Sequence, residues 1–316
     1  MFGKIETFNR FESSKAKGAF MDHLTELYCL MDDFCKEFEP LLHQRMLQQG
    51  TRKRRRACAL SLAELMTLLV LFHQVRYRQF KQFYLCHARA NLKGEFPRLP
   101  SYQRCVELMP RACAALAALF ECLKARCTGI SIADSTPLAV CENLRISRHK
   151  VFAGIAQRGK SSTGWFYGFK LHIVINHKGE LLGIKLTPGN TDDRQALKDM
   201  AVSQTLFGKL FADKGYIAKS LTQYLAERGT QLITKVRRNM AKPLYSAFDH
   251  AILKQRSLIE TVFDELKNLC QIEHTRHRSV NNFVVNLLAG IVAYCLQPKK
   301  PRLNISTDEL HSLIPN

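Results

Sequence analysis

The chain has 316 residues, 46% of them apolar, enough for one sizeable core and a smaller satellite domain. Its 47 Lys and Arg against 27 Asp and Glu leave a formal charge of +20, which favours a polyanionic partner by steering and counterion release, nucleic acid ahead of an acidic membrane surface. No apolar run approaches the roughly 20 residues that span a bilayer, and Met1 to Arg10 lack a secretory apolar core, so a soluble intracellular chain is expected.

The first elements read as helices. Leu24, Leu27, Met31, Phe34 and Phe38 recur at steps of three and four, which predicts an amphipathic helix ending near Pro40 or soon after it. The basic run Arg52, Lys53, Arg54, Arg55, Arg56 follows, and then Ser61-Leu62-Ala63-Glu64, a capping-box pattern that should open a helix through Leu65, Leu68, Leu69 and Phe72. A third helix is predicted from Tyr77 to Ala88. A fourth is capped by Ser101 and kinked by Pro110.

From about Thr128 strands and helices alternate. Ile130 to Ala133 reads as a short strand ending on Asp134; Gly168 to Asn176 and Leu181 to Thr187 flank the turn His177-Lys178-Gly179-Glu180 and predict a hairpin. A helix from about Asp193 to Ser203 leads into the strand Lys209 to Ala212 and Asp213. Another from about Ser220 to Arg228 stops at Gly229 before the strand Gln231 to Val236. Helices are expected around Ile252 to Cys270 and Val280 to Leu296, the second with a broad apolar stripe that should pack on the domain. Pro298 and Pro301 end it. This order is that of a ribonuclease H-like α/β domain with a mixed sheet, preceded by an all-helical region. The expected division is 1–127 helical and DNA-binding, 128–298 catalytic, and 299–316 a peripheral tail. The right-handed crossover rule would set Asp134 and Asp213 at the same end of neighbouring strands.

A carboxylate that closes an apolar strand is kept when it is paired or binds metal, because an uncompensated buried charge is costly. Alone, Asp134 and Asp213 each read as a turn starter or helix cap ahead of a ligand; their meeting at one sheet edge is what favours the ligand reading. On the helix Arg256 to Lys267, the side chains of Arg256, Glu260, Phe263 and Lys267 fall within roughly 60° of one another, so one face carries a carboxylate between two cations. By itself that pattern reads first as an Arg256–Glu260 surface pair.

Taken together these residues resemble the DDE transposases of bacterial insertion sequences. The motifs are Ile-Ala-Asp-Ser-Thr-Pro around Asp134, Ala-Asp-Lys-Gly-Tyr around Asp213, and Arg-(3)-Glu-(6)-Lys at Arg256, Glu260 and Lys267. His149 to Gly154, Arg158 to Ser162 and Gly164 to His172 are similar to the insertion sequence 982 family in particular, over about Arg52 to Leu296. Leu253 stands where related groups carry a tyrosine, and the interval from Asp213 to Glu260 is filled by predicted elements without room for an inserted domain.

The resemblance implies that Asp134, Asp213 and Glu260 hold two Mg²⁺ ions, with Mn²⁺ a substitute. Hard oxygen donors suit such ions, and two of them serve phosphoryl transfer. It implies cleavage at the terminal inverted repeats of a mobile element and attack of the freed 3′-hydroxyl on target DNA. Arg256 and Lys267 would contact phosphate. A homodimer or higher homo-oligomer on DNA, cytoplasmic and associated with the bacterial nucleoid, is expected. Two rival readings are a ribonuclease H-like nuclease without strand transfer and a silent transposase-derived DNA-binding protein.

Weaker signals are weighed against plainer ones. Positions 45 to 95 carry eleven Lys and Arg against Glu64 and Glu95, which makes the helical region, with Arg52 to Arg56, the expected grip on duplex DNA. The eleven cysteines include no Cys-x-x-Cys pair; Cys29, Cys113 and Cys295 read as small buried hydrophobes. Ser135, Thr136, His149 and His172 show no spacing for covalent serine chemistry. Trp165 with Phe166, Tyr167 and Phe169 is expected in the core ahead of a base-stacking platform, the way a flipped base would be held, and Asp192 and Asp193 at a turn and helix cap.

Overall fold

The computed structural model describes residues 18–50, 58–161, 164–203, 206–236, 239–240, 244–273 and 277–305. The basic run Arg52 to Arg56 lies outside them. Helix α1 (Gly18–Gln48) buries Leu24, Leu27, Met31 and Phe34. It passes through Pro40 and continues to Gln48, further than the sequence suggests: Pro40 removes one internal hydrogen bond but sits on the exposed side, where water satisfies the freed carbonyl. Cys29 is exposed on this helix, against the expectation of burial, because it falls beside the apolar stripe rather than within it.

Helix α2 (Leu62–Gln74) opens with the predicted capping box: Ser61 Oγ accepts the Glu64 N–H, and the Glu64 carboxylate accepts that of Ser61. Next come α3 (Phe80–Gln82) and α4 (Arg89–Asn91), joined by the π turn Phe83–Ala88. Helix α5 (Tyr102–Leu108), capped by Ser101, runs through a 3₁₀ turn holding Pro110 into α6 (Cys113–Leu123).

The sheet has six strands: β1 (Ile130–Cys141), β2 (Gln157–Ser161), β3 (Gly164–Asn176), β4 (Leu181–Pro188), β5 (Gly208–Ala212) and β6 (Thr230–Thr234). The long β3 pairs antiparallel with β1 on one edge. Its other edge pairs with β2 along its first half and β4 along its second. β5 and β6 add on parallel to β1. Read across, the order β4–β3–β1–β5–β6 is the ribonuclease H-like arrangement, with β2 as an additional short strand.

The strand that carries Asp134 departs from its predicted length. β1 does not stop at Asp134 but runs to Cys141, because β3 continues to pair with it after β5 has ended. Pro137 is tolerated there because an open strand edge needs no N–H.

One sheet face packs on helices α7 (Asp193–Ser203) and α8 (Lys219–Ala226) through Ala133, Val174, Leu197 and Leu225. The other packs on α9 (Ala247–Lys254), α10 (Ser257–Asp264) with its π extension Glu265–Leu269, and α11 (Val280–Cys295). The single helix predicted for Ile252 to Cys270 is therefore two, broken at Gln255 and Arg256. The apolar side chains of α11 join one core that runs without interruption from the sheet into α1, α2 and α6. His73 on α2 adds a hydrogen bond to the Cys270 carbonyl. Past Pro301, Leu303 is buried and its N–H bonds the His177 carbonyl at the β3–β4 turn. Among the described residues no helix is long and apolar enough to cross a membrane.

Candidate functional site

The pairing of β1 with β5 ends at Ala133 opposite Ala212. Asp134 and Asp213 therefore follow at the same level on neighbouring strands, which lie about 4.8 Å apart. Both carboxylates thus stand at the carboxyl ends of the parallel strands, the end at which open α/β sheets take ligands. Strand alternation turns Asp134 toward α10 and Ser135 toward α7.

Asp134 Oδ1 accepts the Ser135 N–H at 2.8 Å, and Oδ2 accepts Nη1 of Arg256 at 2.7 Å. Burial pushes the Asp134 carboxyl above the usual carboxylate range; Arg256 works against that, and the charge of Asp213 adds to it. Arg256 sits at the break before α10, with 13% of its side chain exposed, and its Nη2 also reaches Glu260 Oε1 at 3.4 Å. Burial disfavours its charge, yet Asp134, Asp213 and Glu260 together hold the guanidinium above the ordinary arginine value. One cation thus lies within the field of all three predicted carboxylates. Its buried Nε has no hydrogen-bond partner among the described residues.

The three carboxylates do not converge. Glu260 is 62% exposed on the solvent side of Arg256, and among the described residues no three His, Cys, Asp or Glu groups stand together as metal ligands do. Asp134 and Asp213 fit a hard divalent cation by donor chemistry and position, since each offers carboxylate oxygen at one strand end. In this arrangement Glu260 does not complete that set, and Arg256 supplies the local positive charge.

Lys267 occupies a different place from the one its spacing suggests. Its Nζ donates to the Pro137 carbonyl at 2.7 Å and pairs with Glu273 at 2.9 Å. Glu273 in turn accepts the Ala139 N–H at 3.0 Å. Together they pair the edge of β1 that β5 leaves open. Sequence reasoning misses Glu273; Pro137, an edge-strand signal inside a predicted loop, is the available clue.

Asp193 is likewise missed as a neighbour of the site. Its Oδ1 accepts from Ser135 Oγ and from Lys170 Nζ, each at 3.0 Å, and lies 3.7 Å from His172 Nδ1. Burial lowers His172 to about 4, with Lys170 and Lys185 adding to the effect and Asp193 opposing it. Its Nε2 meets Thr187 Oγ1 at 2.8 Å. Tyr216, buried under Asp134 and Asp193, is held well above the usual phenol range by burial first and those charges second. Trp165, by contrast, is 57% exposed rather than in the core, while Phe166, Tyr167 and Phe169 are buried.

Residues 124–280 match a family model described as a transposase DDE domain. No protein of curated function matches the sequence. Among solved structures, the Mos1 transposase paired-end complex with the left transposon end aligns at 12% identity, covering 76% of each chain with a TM-score of 0.28. The Mos1 mariner paired-end complex with Mn aligns at 12% identity over 88% of this chain and 95% of that one, also with a TM-score of 0.28. The Mos1 strand transfer complex gives 12% identity, 82% and 94% coverage and a TM-score of 0.23. Overlaps this loose carry no argument about function.

Proposed function

From the match of residues 124–280 to a transposase DDE domain, we propose that the chain is a metal-dependent DNA transposase of the insertion sequence 982 type. It cleaves the ends of a mobile element and joins the freed 3′-hydroxyl ends to target DNA. The observation that carries this reading is the parallel register of Ala133 with Ala212, which brings Asp134 and Asp213 to the same end of neighbouring strands.

Asp134 and Asp213 would hold the metal, with Glu260 joining them once Arg256 gives up its contacts. Bound there, Mg²⁺ or Mn²⁺, two ions in this reading, would supply nucleophile activation and leaving-group stabilisation. Arg256 keeps a permanent cation beside the carboxylates and, released from Asp134, can face a phosphate. Lys267 holds the open edge of β1 and in this reading would share that task. The helical region up to residue 127, with Arg52 to Arg56, would grip the element ends, and residues 128–298 would act on them as a homodimer or larger assembly at the nucleoid. The tail from 299 onward would stay outside the chemistry.

Asp134→Asn, Asp213→Asn and Glu260→Gln should each abolish cleavage and joining of labelled element ends while keeping the fold and much of the DNA binding. Each swap is nearly isosteric and removes the charge that holds a metal, at Asp134 and Glu260 also a partner charge of Arg256, so the fold of each variant is checked by its melting temperature. The control is Asp264→Asn, on the same helix but exposed and bonded to Asn268, which should stay active. Three active ligand variants would sink the reading; cleavage by the wild type without joined products would leave a nuclease.

A further inference from the structure

We propose that the β2–β3 hairpin and the segment before it form a second DNA-contact surface, on which the ring of Trp165 stacks an unpaired base. The surface rests on the transposase reading above but is separate from the carboxylate site. Between positions 143 and 165 the chain carries five Lys and Arg and no Asp or Glu. All five, Arg145, Arg148, Lys150, Arg158 and Lys160, are exposed. Such a run attracts a polyanion and repels other basic surfaces.

Trp165 gives the patch a second chemistry. It is directly opposite Lys160 in the β2–β3 register. The guanidinium of Arg158 and the ammonium of Lys160 lie 6.0 and 5.9 Å from its ring. Both stand over the ring at that distance, and the residue stays 57% exposed. An exposed aromatic ring beside two cations suits a single nucleic-acid strand: a base on the ring and its flanking phosphates on the charges. An acidic protein would use the cations and leave the ring idle.

The arm is anchored rather than loose. Phe152, fully buried, packs on Phe169 and Phe283, and Asn143 Nδ2 donates to the Trp165 carbonyl at 2.8 Å. β2 presses on the β4–α7 turn so closely that a Cβ on Gly159 would stand 2.1 Å from the Gly189 carbonyl oxygen. Asp134 pairs with Ile173 on β3. Trp165 therefore stands eight residues along the same strand, roughly 26 Å from the carboxylates at strand rise. That span corresponds to about seven or eight stacked base steps.

The chain has one tryptophan, so its intrinsic fluorescence reports this residue alone. The full-length protein, in chelator and without divalent metal, is titrated with a short oligothymidylate, with the matching blunt duplex, and with polyglutamate. Quenching by the single strand, stronger than by either of the others, is expected. Read by the anisotropy of a labelled oligonucleotide, because the Trp165 variants have no tryptophan left to quench, Trp165→Ala should weaken single-strand binding about tenfold, the lower part of what one aromatic–base stack contributes, with duplex binding unchanged. Trp165→Phe should recover most of the loss. The pair Arg158→Ala and Lys160→Ala should flatten the salt dependence. No binding of the oligonucleotide, binding without quenching, equal affinity of Trp165→Ala, or equal quenching by polyglutamate would each overturn the proposal. A chain that quenches yet cuts nothing loses the transposase reading alone; one that cuts and joins without quenching loses only this surface.

Discussion

At the scale of residues, Asp134 and Arg256 show what a one-dimensional pattern omits. Arg256 and Glu260 are neighbours by helical spacing, and the pair does form. The stronger contact, from Arg256 to Asp134 at 2.7 Å, joins distant parts of the chain and has no periodicity to betray it. His172 offers a measurable consequence of the same crowding. Its folded value of about 4 lies below the ordinary 6.5. Between these pH values the unfolded chain takes a proton that the folded chain refuses, so the stability present above 6.5 is lost as pH falls toward 4. The melting temperature of the wild type should drop more steeply from about pH 7 to about pH 5 than that of His172→Gln, by thermal unfolding at each pH. Parallel curves would place the acid sensitivity elsewhere.

Elements are legible where local chemistry dictates them. The Ser61 capping box, the β3–β4 turn, α7 and α11 are each set by residues next to one another in the chain. What the sequence hides depends on distant partners. β1 runs past Pro137 because β3 accompanies it and Lys267 takes the Pro137 carbonyl. Asp134 and Asp213 can be marked as carboxylates after apolar runs, but Asp193 and Glu273 meet the strand only through tertiary contact. Trp165 sits in an aromatic run that reads as core throughout, and nothing local says where the strand leaves the body. β2 is not foreseen as a strand at all, its burial limited to one glycine. That glycine supports a test: Gly159→Ala must push β2 off the Gly189 turn, at roughly 1–3 kcal/mol by analogy with overpacking. Denaturant midpoints would show it, and a wild-type midpoint would mean the arm yields freely.

At the scale of the molecule, the charge of +20 sets the terms on which DNA is met. Changing Arg52, Lys53, Arg54, Arg55 and Arg56 to alanine should weaken duplex binding and reduce the slope of log affinity against log salt by about 0.9 for each phosphate the run neutralises. An unchanged slope would assign the run to free surface. The uninterrupted core that α11 shares with α2 and α6 has a consequence for synthesis. These helices are made early, yet the surface that covers them is encoded roughly 160 to 230 positions later. On the ribosome, at roughly 5–20 residues per second, they wait many seconds with only α1 against them, and a transcript broken before α11 leaves the rest of their apolar surface uncovered. The helical region thus depends for its closed core on a helix near the far end of the sequence.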